Sequence, residues 1–453
     1  MGISSPARLN IQIWRSQWKN RQCSILQRRL RIGRPPEASS VLTQPPLSLP
    51  DSDANTARAL SGRAIIDYYL HMQFFAHQPL PDLGPYVGLR GEIRAFLAEE
   101  RQRAGIDQWV GSWEGHDRDF SARLAERGWV GMALPTAYGG HDKGILERYV
   151  VFEELLAGGA PVAAHWIADR QSGPLILRFG TEAQRQHFLP RIASTEYTFA
   201  IGMSEPDSGS DLAAARTKAE WRGNGWRING AKIWTSNAHR ADWMITLCRT
   251  GDVGEDRHGG LSQFLIDLKA PDIKIRPIQN LAGNHHFNEV VFEDHDIAAD
   301  RIIGSPGDGW RQVMNELAFE RSAPDRYLST FRLIVELVRA AGATPDHAIA
   351  GEVGALYARL VGVRMLSMQV AAALDQGKTP NTEAALVKEI GTALEQDTPE
   401  VARRVLSETP DGARDGLLEE LLTYDTLHTP SFTLRGGARE IVRGIIARGI
   451  GLR

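Results

Sequence analysis

Two short stretches carry the residue types needed to hold a planar, polar-edged ring. The first is Ile201-Gly202-Met203-Ser204-Glu205-Pro206-Asp207-Ser208-Gly209-Ser210-Asp211, and the second, further along, is Lys232-Ile233-Trp234-Thr235-Ser236-Asn237. Glycines let the backbone approach a ring closely, serine and threonine hydroxyls donate or accept at its edge, and a tryptophan covers one face. Either string alone reads first as a turn. Their order within a longer matching frame gives the pair its meaning.

The elements around them fall into three textures. Residues 85–194 read as helical: Leu89, Ile93, Phe96 and Leu97 recur at helical spacing, and Phe120 and Leu124 precede a Gly128-Trp129 stop. Residues 147–157 fit another helix, and Thr181 is placed to cap the one that follows it. The pattern then changes to short strands, 219–222, 226–228 and 231–235, separated by Asn224-Gly225 and Asn229-Gly230, both strong two-residue turn signals. Segments 241–248, 262–268, 273–278 and 289–293 continue the strand pattern. Helix returns at Gly309, with Val313, Leu317 and Glu320 on one face, then Leu333 to Val338, and Ile441, Ile445 and Ile446 in the last element.

The expected fold class is α+β multidomain: an N-terminal α-helical domain at 72–198, a middle antiparallel β-domain at 199–305 and a C-terminal α-helical bundle at 306–453. Residues 1–71 stand apart. Seven arginines between Arg8 and Arg34 face one acid, Glu37, and a Pro/Ser-rich stretch follows. That composition suits a disordered basic arm, an organellar transit peptide, or an upstream stretch from a mis-assigned start with Met72 as initiator.

With 453 residues the chain can bury a large core, and its 42% hydrophobic and 24% charged content is that of a soluble globular protein. A net charge of -3 gives no electrostatic reason to expect nucleic acid. No apolar run reaches the roughly 18 residues of a membrane span. Cys23 and Cys248 lie far apart, which leaves neither a disulfide framework nor a metal site to argue. A cytoplasmic, reducing location in a bacterium is expected, with the mitochondrial matrix as the alternative.

The two stretches, with Gly128-Trp129, Tyr138-Gly139-Gly140, Phe179-Gly180-Thr181-Glu182, Phe287-Asn288-Glu289-Val290 and Gly309-Trp310, resemble the acyl-CoA dehydrogenase family over about Gly128 to Arg321. The resemblance implies that Ile201, Met203, Ser204 and Ser210 contact FAD together with Trp234, Thr235 and Ser236, and that Ser210 also lies near an acyl-CoA. Ser236 stands where the family usually has threonine, which keeps the hydroxyl. The family removes an α-proton from a thioester while a β-hydride leaves, and most members place the glutamate base just before a Gly-Thr near the C-terminus. Here Gly436 occupies that position. Some members carry the base on an early helix of the C-terminal domain, directly before an arginine, which corresponds to Glu320-Arg321. Glu320 is therefore the expected catalytic base, buried with a raised pKa, and Arg321 an expected substrate-binding residue. Glu316 lies one turn away.

The chain departs from the family again where a neighbouring subunit usually completes the FAD site. Val338 to His347 lacks the Arg-x-x-Phe-Gly segment, and Val405 to Asp411 lacks Gln-x-x-Gly-Gly-x-Gly. The leading expectation is an FAD-dependent dehydrogenase that makes a trans-2-enoyl-CoA and passes electrons to an electron-transfer flavoprotein, in a homo- or hetero-oligomer. The alternatives are a non-catalytic or half-site subunit of a heteromeric dehydrogenase, and a same-fold flavin oxidase or monooxygenase.

Overall fold

The computed structural model describes residues 79–103, 109, 111–252, 256–408 and 416–452. The basic stretch 1–71 lies outside them, as do 409–411 of the second departing segment.

The N-terminal helices follow from their apolar spacing. α1 (Val87–Arg103) buries Ile93, Phe96 and Leu97. α2 (Arg118–Glu126) starts where the Asp117 side chain accepts from the Phe120 amide, and it buries Phe120 and Leu124. α3 (Ile145–Ala157) is buried along most of its length. α4 (Ala163–Ile167) runs through a π-helical turn at Ala168–Ser172 into α5 (Gly173–Phe179). α6 (Glu182–Ala193) opens with a reciprocal cap: Thr181 accepts from the Gln184 amide, and the Gln184 side chain reaches back to the Thr181 amide.

The middle of the chain forms one sheet from β1 (Phe199–Gly202), β2 (Lys218–Trp221), β3 (Gly225–Lys232), β4 (Trp243–Arg249), β5 (Leu261–Asp267), β6 (Ile273–Gln279), β7 (His285–Ala298) and β8 (Ile302–Ile303). The order is β6-β7-β3-β2-β4-β5-β8, with β1 also paired to β4. Most pairs are antiparallel as expected, but β1 runs parallel to β4, with Ile201 beside Ile245. β4 is buried on both faces: Trp243 and Ile245 pack towards α6, Met244 and Cys248 towards β3 and β7.

Two expected turns are corrected. The hairpin between β2 and β3 turns on Gly223-Asn224, one residue earlier than expected, because Gly223 takes the positive φ of 93° and Arg222 donates to the Gly225 carbonyl. Asn229-Gly230 is no turn at all. It is a bulge within β3, where the register against β7 shifts and Gly230 takes a φ of 140°. A Cβ there would press on the Thr217 backbone at 2.8 Å, so only glycine fits.

Helices close the chain: α7 (Gly309–Glu320), α8 (Phe331–Ala341), α9 (His347–Asp375), α10 (Asn381–Ser407), α11 (Gly416–His428) and α12 (Arg439–Gly449). They share one apolar core with the N-terminal helices, in which Ile93, Phe96, Phe120 and Leu155 meet Leu333, Leu356, Val363, Val387 and Leu394. Burial of this kind contributes about 1.5–3 kcal/mol per large apolar side chain. The two helical segments therefore fold on each other, with the sheet packed alongside.

Candidate active site

Most of the residues expected to hold the ring come together at the ends of β1 and β3. The Ile233 amide donates to the Ser204 carbonyl at 2.9 Å, and Thr235 is pinned to β7 by bonds in both directions with Asn288, at 3.0 and 2.9 Å. Trp234 sits in the left-handed backbone region, φ 60°, and its side chain stands out with the residue 56% exposed. A large aromatic residue held that way stores strain that the surrounding bonds must maintain, and such strain clusters at functional positions. The Thr235 Oγ1 is buried without a partner. The hydroxyls of Ser204, Ser210 and Ser236 have no protein partner among the described residues. An outward aromatic face beside unpaired hydroxyls fits a flat heteroaromatic ring with hydrogen-bonding edges. Ser210 lies apart from the others on an exposed loop, and Ile201 packs its side chain against the core below β1.

The expected base lies at the end of α7. Glu320 is the last residue of that helix, and the chain then turns back through Pro324–Arg326. Arg326 thereby covers Glu320: its Nη2 donates to Oε1 at 2.9 Å and its Nε to the Glu320 carbonyl at 2.8 Å. Gln171 of the π turn approaches Oε2 at 3.5 Å. Full burial was expected for Glu320, but its side chain remains 17% exposed. The deep position belongs to Glu316 instead, which is 3% exposed and accepts from Gln263 at 3.0 Å. The reason is geometric: Glu316 faces β5 from the body of the helix, while Glu320 faces the returning chain. Burial pushes the Glu316 carboxyl up to about 8, so it holds its proton at neutral pH.

The π turn sends successive side chains in different directions. Asp169 accepts from the Gly131 amide at 2.7 Å, Arg170 donates to Asp325 at 2.8 Å, and Gln171 faces Glu320. Against the effect of burial, Arg326 and Arg170 hold the Asp325 carboxyl below the usual carboxylate range. Arg321 is 6% exposed, donates its Nε to the Gly436 carbonyl at 3.1 Å and has no acidic partner among the described residues. Gly436 itself has a φ of 71°, and a Cβ there would lie 3.2 Å from the Arg326 guanidinium. A side chain at 436 would therefore begin in tight contact with the arginine that binds Glu320, from a backbone conformation that favours glycine.

Sequence reading missed this network. Arg170, Gln171, Asp325 and Arg326 carry no periodic signature, although four polar residues in a row inside an apolar helical pattern, Asp169 to Ser172, were a visible signal. The ring-binding half and Glu320 make no direct contact; they are linked through α7, where Val313 packs in one cluster with Met203 and Leu212. A cavity of about 1180 Å³ borders Asn237 and is lined by His116, Arg240, His286 and His428, but by none of the expected site residues. Among the described residues, no His, Cys, Asp and Glu side chains group as metal ligands, and no helix is long and apolar enough to cross a membrane.

A helical layer, a β sheet carrying unpaired hydroxyls beside an outward tryptophan, and a carboxylate at the first helix after the sheet define a flavin-dependent dehydrogenase fold. The chain belongs to the acyl-CoA dehydrogenase family: profiles described as the acyl-CoA dehydrogenase N-terminal, middle and C-terminal domains match residues 87–196, 200–295 and 307–451. It is an FAD-dependent oxidoreductase. It is similar to the acyl-CoA dehydrogenase IpdE1 of Mycobacterium tuberculosis, 34% identical over 372 residues that cover 79% of this chain and 95% of that one. Among solved structures it resembles one named Tcur3481-Tcur3483 steroid ACAD, with a TM-score of 0.73, 26% identity and coverage of 83% and 98% of the two chains. The ChsE4-ChsE5 complex from Mycobacterium tuberculosis shares the fold, with a TM-score of 0.70, 24% identity and coverage of 82% and 97%.

Proposed function

We propose that the chain oxidises an acyl-CoA thioester to its trans-2-enoyl-CoA with Glu320 as base, working beside a second, related chain. The carrying observation is the Glu320 carboxylate, held by Arg326 and Gln171 beside Gly436, which has no side chain to serve as the base at the more usual position. A Glu320 oxygen takes the α-proton, and the electron pair left on the α-carbon forms the double bond as the β-hydride departs. FAD, when bound through Met203, Ser204, Ser210, Trp234, Thr235 and Ser236, supplies the hydride acceptor. Arg326 fixes the carboxylate's direction, and Arg321, a buried cation with no ion pair among the described residues, has guanidinium donors beyond the one on Gly436 with which to meet a substrate oxygen. Electrons then pass to an electron-transfer flavoprotein.

The missing FAD-completing segments support a heteromeric assembly, as do relatives whose names join two proteins. The likeness to a protein named as a steroid ACAD supports a ring-bearing acyl group. The test is flavin bleaching by linear and ring-bearing acyl-CoAs, with the chain alone and with a related chain co-expressed. Bleaching that survives Glu320→Gln at the wild-type rate refutes the base. Tight, stoichiometric FAD in the chain alone refutes the need for a partner.

A further inference from the structure

Below the ring-binding residues lies a buried ion pair that the reaction does not use. Lys232, the last residue of β3, is fully buried. Its Nζ donates to the Glu205 Oε1 at 2.7 Å and to the Met203 carbonyl at 3.1 Å. Glu205 is 7% exposed, and its two oxygens also accept the backbone amides of Thr217 and Arg216 at 2.8 and 2.7 Å. Three chain segments thus meet on two side chains: the loop after β1 that carries Met203 and Ser204, the start of β2, and the end of β3 just before Trp234, Thr235 and Ser236.

We infer that Lys232 and Glu205 are positioning residues for the flavin, a clamp that fixes the spacing between its two binding segments. The inference rests on the reading that FAD lies on those segments. Burial works against both charges and lowers the pKa of the Lys232 ammonium, with Glu205 opposing that effect; Lys232 and the two amides hold the Glu205 carboxyl below the usual range, and the short contact between the two groups favours a charged pair. Only one hydrogen bond between backbones, Ile233 to Ser204, otherwise ties the two segments there. Without the ammonium the Met203 carbonyl loses its donor, and the hydroxyls on either side of the ring edge lose their common frame.

The experiment measures FAD affinity, by fluorescence quenching, in the full-length chain co-expressed with the related chain of the bleaching test and stripped of flavin, together with its melting temperature and the visible spectrum of the bound flavin. Lys232→Met is expected to weaken FAD by roughly tenfold or more and to shift the flavin spectrum. The double variant Lys232→Met/Glu205→Gln leaves no unpaired buried charge and carries the test if the single variant does not fold, with the same loss of FAD affinity expected; where both single variants fold, their effects should be less than additive, as expected of one unit. A fall in melting temperature with unchanged FAD affinity and spectrum means the pair serves the fold alone and overturns the inference. Thr235→Val separates the two readings. If it leaves FAD binding unaltered, the flavin does not lie on this segment and the clamp falls with it; if it weakens FAD while the clamp variants do not, only the clamp is wrong.

Discussion

Glu316→Gln should stabilise the protein in mild alkali and leave it unchanged in acid. The unfolded chain releases this proton near the ordinary value of 4.5, whereas the folded protein holds it to about 8. Below pH 4.5 both states carry the proton and the residue costs nothing. As pH rises, the unfolded state ionises first, the folded state binds more protons, and stability falls until both are ionised above about 8. The interval, about 3.5 pH units at 1.36 kcal/mol each, sets an upper bound of about 5 kcal/mol. An amide in place of the carboxyl removes that dependence. It also fits: Gln263 Nε2 already donates to Glu316, while Gln263 Oε1 and the other Glu316 oxygen are both buried without partners. An amide at 316 can donate to the first while accepting from the Gln263 nitrogen, forming a reciprocal pair. Urea unfolding at pH 5 and pH 8.5 is the assay. The variant should exceed the wild type by only about 1 kcal/mol at pH 5, and by several kcal/mol at most at pH 8.5. A variant no more stable than the wild type at pH 8.5, or a difference between them that does not widen from the lower pH to the higher, refutes the picture of a desolvated, neutral Glu316.

Glu320→Gln should lower the rate of flavin reduction by acyl-CoA by about 100-fold or more while leaving FAD bound, measured by stopped-flow absorbance. Glu316→Gln should keep that rate, so loss of reduction in this variant alone would move the base one turn back. Gly391→Ala should destabilise by about 2 kcal/mol or more in thermal melts, because its Cβ would lie 2.1 Å from the Arg326 carbonyl, and it should disturb Glu320 through the same arginine. Arg321→Gln should raise KM for acyl-CoA more than it lowers kcat in steady-state assays, if the arginine binds the thioester equally before and during reaction.

The helices and most strands were legible because each buries one face, and apolar spacing records that directly: Ile93, Phe96 and Leu97 in α1, and the cap at Thr181, are where the pattern puts them. The parallel pairing of β1 with β4 left no trace, because pairing partners are chosen in space and not along the chain. Asn229-Gly230 misled for a different reason. A positive-φ glycine serves a bulge as well as a turn, and only the long partner strand β7 decides between them. At the site, the residues recognised by motif lie on adjacent strand ends, whereas the depth of Glu316 and the cover over Glu320 depend on what packs against each side of α7.

The π turn at Ala168–Ser172 amounts to one additional residue inserted into a helix whose flanks continue on either side. Removing one residue there would let α4 and α5 join as an uninterrupted helix without moving the ends that pack into the core. What would change is the rotational setting of the polar side chains between them, of which Asp169, Arg170 and Gln171 now each reach a different neighbour. A relative shorter by one residue in this stretch could keep the whole scaffold and yet offer Glu320 something other than Gln171. The length of this single turn is thus a dial that can retune the surroundings of the carboxylate while the rest of the protein stays in place.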